Sequence, residues 1–238
     1  LRVPIPFLMK RPLFFLLALA FLAAAPSALA VESKGLLRVN TTIQTYSVSQ
    51  PWELNTPKRR RGLGAVLESG NILTTAEMAA NSTYIEFESA DGAHTVPATV
   101  LAIDYEANLA LLAPEEGAEA NWIGKLGTLG TNGPVGIGDT VDIWQLEDNG
   151  DALRTVGTVR SVDLLSTFAS GHYFLAYEVK ASMQSASSSY PLPITLNGKL
   201  LGILTSYNSK DQISDVVAPE IVKLFLEDAK DGKYEGFP

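Results

Sequence analysis

The chain contains no cysteine and two histidines, His94 and His172. Thiol catalysis and cysteine-ligated zinc are therefore excluded, and a histidine base can come from only those two positions. Hydroxyl groups are plentiful where Ser185, Ser187, Ser188 and Ser189 crowd one segment. A serine hydroxyl is a useful nucleophile only when a base of pKa about 7 takes its proton, a third group orients that base, and backbone N–H donors hold the developing oxyanion. Neither histidine is placed for that work by its neighbours. His94 closes Asp91-Gly92-Ala93-His94, a hairpin-turn signal, and His172 follows Gly171 just ahead of an apolar run; both read as solvated loop residues. Taken alone, a serine-rich turn needs no catalytic explanation.

The elements that would position such groups are short. Apolar or alternating runs extend over Leu36–Tyr46, Gly62–Leu67, Thr83–Glu88, Ala98–Ile103 and Leu109–Ala113, then Thr140–Gln145, Arg154–Val162, Tyr173–Val179 and Lys199–Ser206, split by Gly, Asn and Asp. This is an all-β pattern, a sandwich or barrel. About 200 residues of it exceed one small barrel, so two barrels in one chain are expected. Pro114–Pro134 is the natural connector, giving a first barrel over residues 31–125 and a second over 126–216. Beyond Asp215 the pattern turns helical, with Pro219 suited to a first helical position and Ile221, Val222, Leu224, Phe225 and Ala229 forming an apolar stripe. A helix is therefore expected over 217–230, followed by a polar, linker-like tail at 231–238. No internal repeat is visible in the residues.

Three segments carry a more specific message. The first is Gly62-Leu63-Gly64-Ala65-Val66-Leu67, with Gly70-Asn71-Ile72-Leu73-Thr74-Thr75-Ala76-Glu77 close behind. The second is Asp104-Tyr105-Glu106-Ala107-Asn108-Leu109-Ala110-Leu111-Leu112. The third is Gln184-Ser185-Ala186-Ser187-Ser188-Ser189-Tyr190-Pro191-Leu192, followed by Leu196-Asn197-Gly198-Lys199-Leu200-Leu201-Gly202-Ile203. In order and spacing they resemble the trypsin-like peptidase domain of the HtrA/Deg family. That resemblance implies two six-stranded β-barrels with a short C-terminal helix.

It also implies roles. Glu77 stands at the catalytic histidine position, Asn108 at the aspartate position and Ser188 at the nucleophile position. Ala186, Ser187 and Ser188 span the oxyanion-hole position, with Ala186 replacing a glycine, while Ser189 and Tyr190 replace the two glycines that follow. A glutamate of reference pKa about 4.3 is far too weak a base for a serine proton, and an asparagine cannot stabilise an imidazolium. The implied picture is a pseudoprotease that binds polypeptides or unfolded protein. Two other readings stay open: an active serine endopeptidase with a non-standard arrangement around Ser188, and a structural subunit forming homo- or hetero-oligomers with related peptidases. Glu77 and Asn108 could together offer two oxygen ligands to a cation, too few without further carboxylates, so no metal and no cofactor is expected. In the resembling family a segment like Asp231–Pro238 often leads into a PDZ domain, and whether one follows here is left open.

The N-terminal segment belongs to export rather than to the fold. Lys10 and Arg11 precede an apolar run over 13–25, then Pro26, Ser27 and Ala28-Leu29-Ala30. This is the pattern of a signal peptide cleaved after Ala30, with translation starting at Leu1 or at Met9. The run is shorter than the roughly 20 residues of a spanning helix, so a periplasmic or secreted protein without a stable membrane anchor is expected. Cleavage would remove Arg2, Lys10 and Arg11 and no acidic residue, leaving 15 basic against 26 acidic residues, a formal charge of −11. Such a balance excludes nucleic acid as a natural partner, the one basic run being Lys58–Arg61, read as lying between a turn and a strand. Asn81-Ser82-Thr83 matches a glycosylation sequon, a pattern short enough to arise by chance.

Overall fold

The computed structural model describes residues 35–166, 171–183, 190–231 and 234–236. Strand β2 (Lys58–Val66) shows how alternation becomes architecture. Val66 points into a core with Leu37, Val39, Ile72, Phe87 and Leu112. Leu63, on the other side of the pleat, enters a different core with Val141, Ile143 and Leu204. Ala65 lies in the seam between the two, beside Leu36, Leu109, Ile203 and Phe225. One strand thus serves two interiors.

The first interior belongs to a closed barrel of β1 (Leu36–Ile43), β2, β3 (Ile72–Thr74), β4 (Ser82–Glu88), β5 (Thr95–Asp104) and β6 (Leu109–Pro114), in the order β1-β2-β3-β6-β5-β4. Pairing of β1 with β4, through Thr41 opposite Ile85, closes the ring. The second barrel comprises β7 (Thr140–Leu146), β8 (Ala152–Ser166), β9 (Tyr173–Lys180), β10 (Leu192–Leu196), β11 (Lys199–Asn208) and β12 (Ile213–Val217), in the order β7-β8-β9-β12-β11-β10. Both rings follow the same strand order, so the two halves repeat in topology although not in residues. Closure leaves no exposed sheet edge in either. The fold is the expected pair of six-stranded barrels with a C-terminal helix.

Three details differ from the sequence expectation. Lys58–Arg61 form the first four residues of β2, paired with Asn40–Ile43, rather than a connector ahead of it. Strand β10 was hidden by Pro193 and its short length. Strand β12 continues past Asp215, with Val216 opposite Leu204 and Tyr177, and Val217 opposite Ala176, before the chain turns helical.

Helix α2 (Pro219–Asp228) starts with proline in its first turn, where a missing N–H costs nothing. It drives Val222 and Phe225 into the seam, where both are buried. Over the described residues 234–236 the tail contacts the helix. Tyr234 meets the Phe225 ring edge-on with centroids 5.4 Å apart, and the Asp228 carboxylate accepts the N–H groups of Glu235 and Gly236 at 2.9 and 3.2 Å.

The helix is tied to β9 by the Tyr177 hydroxyl, which donates to the Glu220 carboxylate at 2.9 Å. Burial, and then this carboxylate, push the Tyr177 phenol up to about 12. A phenol raised in the folded state supports folding fully below pH about 10 and loses that support as pH rises towards the folded value. The unfolding free energy from urea titrations should therefore fall between pH 10 and 12 by on the order of 1–2 kcal/mol, and Tyr177→Phe should flatten this part of the profile. An unchanged slope in the variant would remove Tyr177 from the account.

Candidate active site

Strand β3 pairs with β2 and β6, Thr74 lying opposite Ala110. It delivers Thr75 and a single helical turn, α1 (Ala76–Ala79), closed by the Ala80 N–H on the Ala76 carbonyl at 2.7 Å. Ala76, Met78 and Ala79 are buried under this turn, leaving Glu77 as its half-buried outward residue. The β5–β6 turn is set by Asp104, a buried residue whose Oδ1 accepts the N–H groups of Glu106 and Ala107 at 2.8 and 3.0 Å. Behind that cap Asn108 takes a φ of 55°, a left-handed conformation that asparagine tolerates better than most residues. Burial, and then the Asp104 carboxylate, hold the Tyr234 phenol well above its ordinary range.

These two turns bring Glu77 and Asn108 into contact across 31 residues of sequence. Asn108 Oδ1 accepts the backbone N–H of Glu77 at 3.1 Å, and Asn108 Nδ2 donates to Glu77 Oε1 at 3.4 Å. Asn108 is buried, only 3% exposed. The pair forms a two-point link in which an amide fits a carboxylate and a peptide N–H at once, using its one acceptor and its donor group. An amide N–H cannot be given up to a neighbour at neutral pH, so the link orients Glu77 without passing a proton.

Glu77 and Asn108 line a cleft of about 760 Å³ to which both barrels contribute, within the size range of ligand sites. Thr75 and Met78 line it beside Glu77. Tyr190 and Pro191 line it from the second barrel. Arg59, Arg60 and Arg61 line it as well, and the sequence alone assigns none of them to a site; the signal available is that the basic run continues into Gly62 without a breaker. Arg60 donates to the Glu77 carbonyl at 3.1 Å. Arg61 pairs with Glu88 at 3.1 Å, and the buried Arg38 reaches the same carboxylate at 3.3 Å.

The remaining sequence candidates separate clearly. Ser188, with Ala186 and Ser187, lies outside the described residues. His94 sits in the β4–β5 hairpin and stacks on Trp122, with ring centroids 6.1 Å apart and planes 19° from parallel. His172 precedes β9, its Nδ1 3.9 Å from a Glu106 carboxylate oxygen. Neither imidazole lines the cleft. Among the described residues no group of three or more His, Asp or Glu side chains is arranged to hold a metal ion.

Two closed six-stranded barrels with a cleft built from both define the trypsin-like peptidase fold. No protein-family model matches the chain. It is 25% identical over 198 residues to a putative mitochondrial Do-like protease 3 of Arabidopsis thaliana, covering 80% of this chain and 34% of the relative. It is 24% identical over 207 residues to a DegP homologue of Plasmodium falciparum, covering 86% of this chain and 23% of the relative. The chain thus spans well under half the length of the curated relatives it matches. Among solved structures it is similar to the active form of the Rv3671c protease of M. tuberculosis, with a TM-score of 0.63 and 20% identity over 84% of this chain and 83% of that one. The HtrA-type protease AlgW bound to a decapeptide gives a TM-score of 0.60 and 16% identity over 84% of this chain and 65% of that one. The curated relatives it matches are Do-like and DegP-type proteases, and its fold is the trypsin-like double barrel.

Proposed function

We propose that this domain is a pseudoprotease, exported from the cell, that holds extended polypeptide in the cleft without cutting it. The observation that carries the reading is the direct Glu77–Asn108 hydrogen bond. Where the resemblance puts a proton-accepting ring oriented by a carboxylate, there stands a carboxylate oriented by an amide. Donor and acceptor have exchanged sides, and the group that should accept the Ser188 proton is a weak base. The changes at Glu77 and Asn108 keep this pair polar and hydrogen-bonded while removing the route for the proton. A cleft of this volume, built from both barrels, still suits a peptide segment.

The apolar run over 13–25, following Lys10 and Arg11, supports export better than the Arg- and Ser-rich amphipathic pattern of an organelle transit peptide. The relative that carries a mitochondrial name shares the peptidase domain, which does not bear on how this leader is read.

The test uses unfolded casein. Incubated with the protein and separated by size exclusion, casein should co-elute with it and be recovered at full length. Casein fragments that form with the wild type and not with Ser188→Ala would overturn the reading in favour of an active endopeptidase.

A further inference from the structure

Between β1 and β2 the chain doubles back in a short ribbon that carries four exposed apolar side chains. Tyr46 lies opposite Leu54. The Ser47 N–H on the Glu53 carbonyl and the Asn55 N–H on the Thr45 carbonyl, both at 2.8 Å, flank that pair. This is the narrow type of antiparallel pair, in which facing side chains are closest. Val48 and Trp52 stand in the bend and the turn beyond this bridge. The exposures are 99% for Val48, 76% for Trp52, 66% for Tyr46 and 52% for Leu54.

The ribbon is also well ordered. The Asn55 side chain donates to the Thr45 hydroxyl and the Tyr46 carbonyl, each at 3.0 Å, and the Gln44 amide donates to the Asn55 carbonyl at 3.0 Å. The base of the ribbon is thus tied by side-chain hydrogen bonds, with the four apolar side chains at and beyond it. Isolated exposed apolar residues need no explanation, whereas a cluster does.

The charge beside it names the occupant. Lys58 follows the ribbon and is exposed, with the exposed Arg59 and Arg60 beyond it at the cleft. Beyond a screening length of about 8 Å these local cations, not the acidic balance of the whole chain, govern what the ribbon meets. A narrow ribbon with four apolar side chains falls short of the roughly 800 Å² per partner that a stable protein interface buries. A lipid surface sets no such minimum: tryptophan and tyrosine settle at the headgroup boundary and adjacent cations meet anionic headgroups. We propose that the β1–β2 ribbon is a membrane-docking element, inserting Val48, Trp52, Tyr46 and Leu54 into the headgroup region of an anionic lipid surface with Lys58 against its phosphates.

The test is vesicle co-sedimentation, with protein starting at Val31, which contains both barrels and their cores. The vesicles are phosphatidylcholine alone or phosphatidylcholine with about one third phosphatidylglycerol. The protein should pellet with the anionic vesicles, and the double variant Val48→Ser/Trp52→Ser should lose about tenfold or more in partitioning. Lys58→Glu should lose several-fold and should weaken the preference for phosphatidylglycerol. All three positions are exposed, so melting midpoints should match the wild type. Wild-type protein left in the supernatant with both lipids, or pelleting that either variant leaves intact, would overturn the proposal. So would wild-type self-association in sedimentation velocity that Val48→Ser/Trp52→Ser abolishes, since the ribbon would then belong to a second copy.

Discussion

Gly202→Ala should lower the unfolding free energy by about 3 kcal/mol or more, the upper end of what forced overpacking costs. Gly202 lies in β11, and a Cβ built there would sit 2.1 Å from the Val217 carbonyl oxygen and 3.1 Å from Val216 Cγ1. The first contact is with backbone at the end of β12, so no side-chain rotation relieves it. One of the two strands must move, and both belong to the closed ring of the second barrel. The end of β12 also leads directly into helix α2, so the displacement would reach Phe225 in the seam. Urea unfolding at pH 7 measures the effect; a midpoint within experimental error of the wild type would mean that β11 and β12 do not approach as described.

Asn108→Asp should destabilise the protein at neutral pH and leave it nearly unchanged in acid. The substitution preserves shape, and one oxygen can still accept the Glu77 N–H. The other atom, now an oxygen, faces Glu77 Oε1 at the 3.4 Å where an amide donor stood. Two carboxylates at that distance cannot both ionise freely, so the pair takes up a proton with an apparent pKa above the unfolded values of about 4. A carboxyl whose folded pKa is raised supports the fold below the unfolded pKa, and that support is lost as pH rises through the folded value. The deficit relative to wild type should be negligible near pH 3.5 and reach about 2 kcal/mol by pH 7, the energy of a roughly thirtyfold weakening of one carboxylic acid. A deficit independent of pH would show that the Glu77 carboxylate does not face position 108.

How far the sequence reads directly into this structure depends on what each residue answers to. The barrels are legible because alternating apolar residues respond to a local pleat, and the Glu77–Asn108 contact is legible through the family resemblance, which assigns both positions to one site. Strand β10 is not, since Pro193 argues against a strand and only the ring around it supplies the pairing. The repeated strand order is invisible because topology constrains burial and not identity. The arginine wall of the cleft escapes for a related reason. Arg59, Arg60 and Arg61 look like a charged connector until the pairing of Lys58–Arg61 with β1 shows that β2 begins four residues before its first apolar position. Gly202 looks like part of a motif, and its physical reason emerges only from a neighbouring strand's carbonyl.

The central claim is that no base activates Ser188, and covalent labelling addresses it at the oxygen concerned. A fluorophosphonate reacts with a serine hydroxyl only when a neighbouring base and an oxyanion site raise its reactivity. Intact mass of the protein after incubation with the probe should show no adduct, for the wild type as for Ser188→Ala. A stoichiometric adduct on the wild type that Ser188→Ala abolishes would contradict the account and establish a working nucleophile.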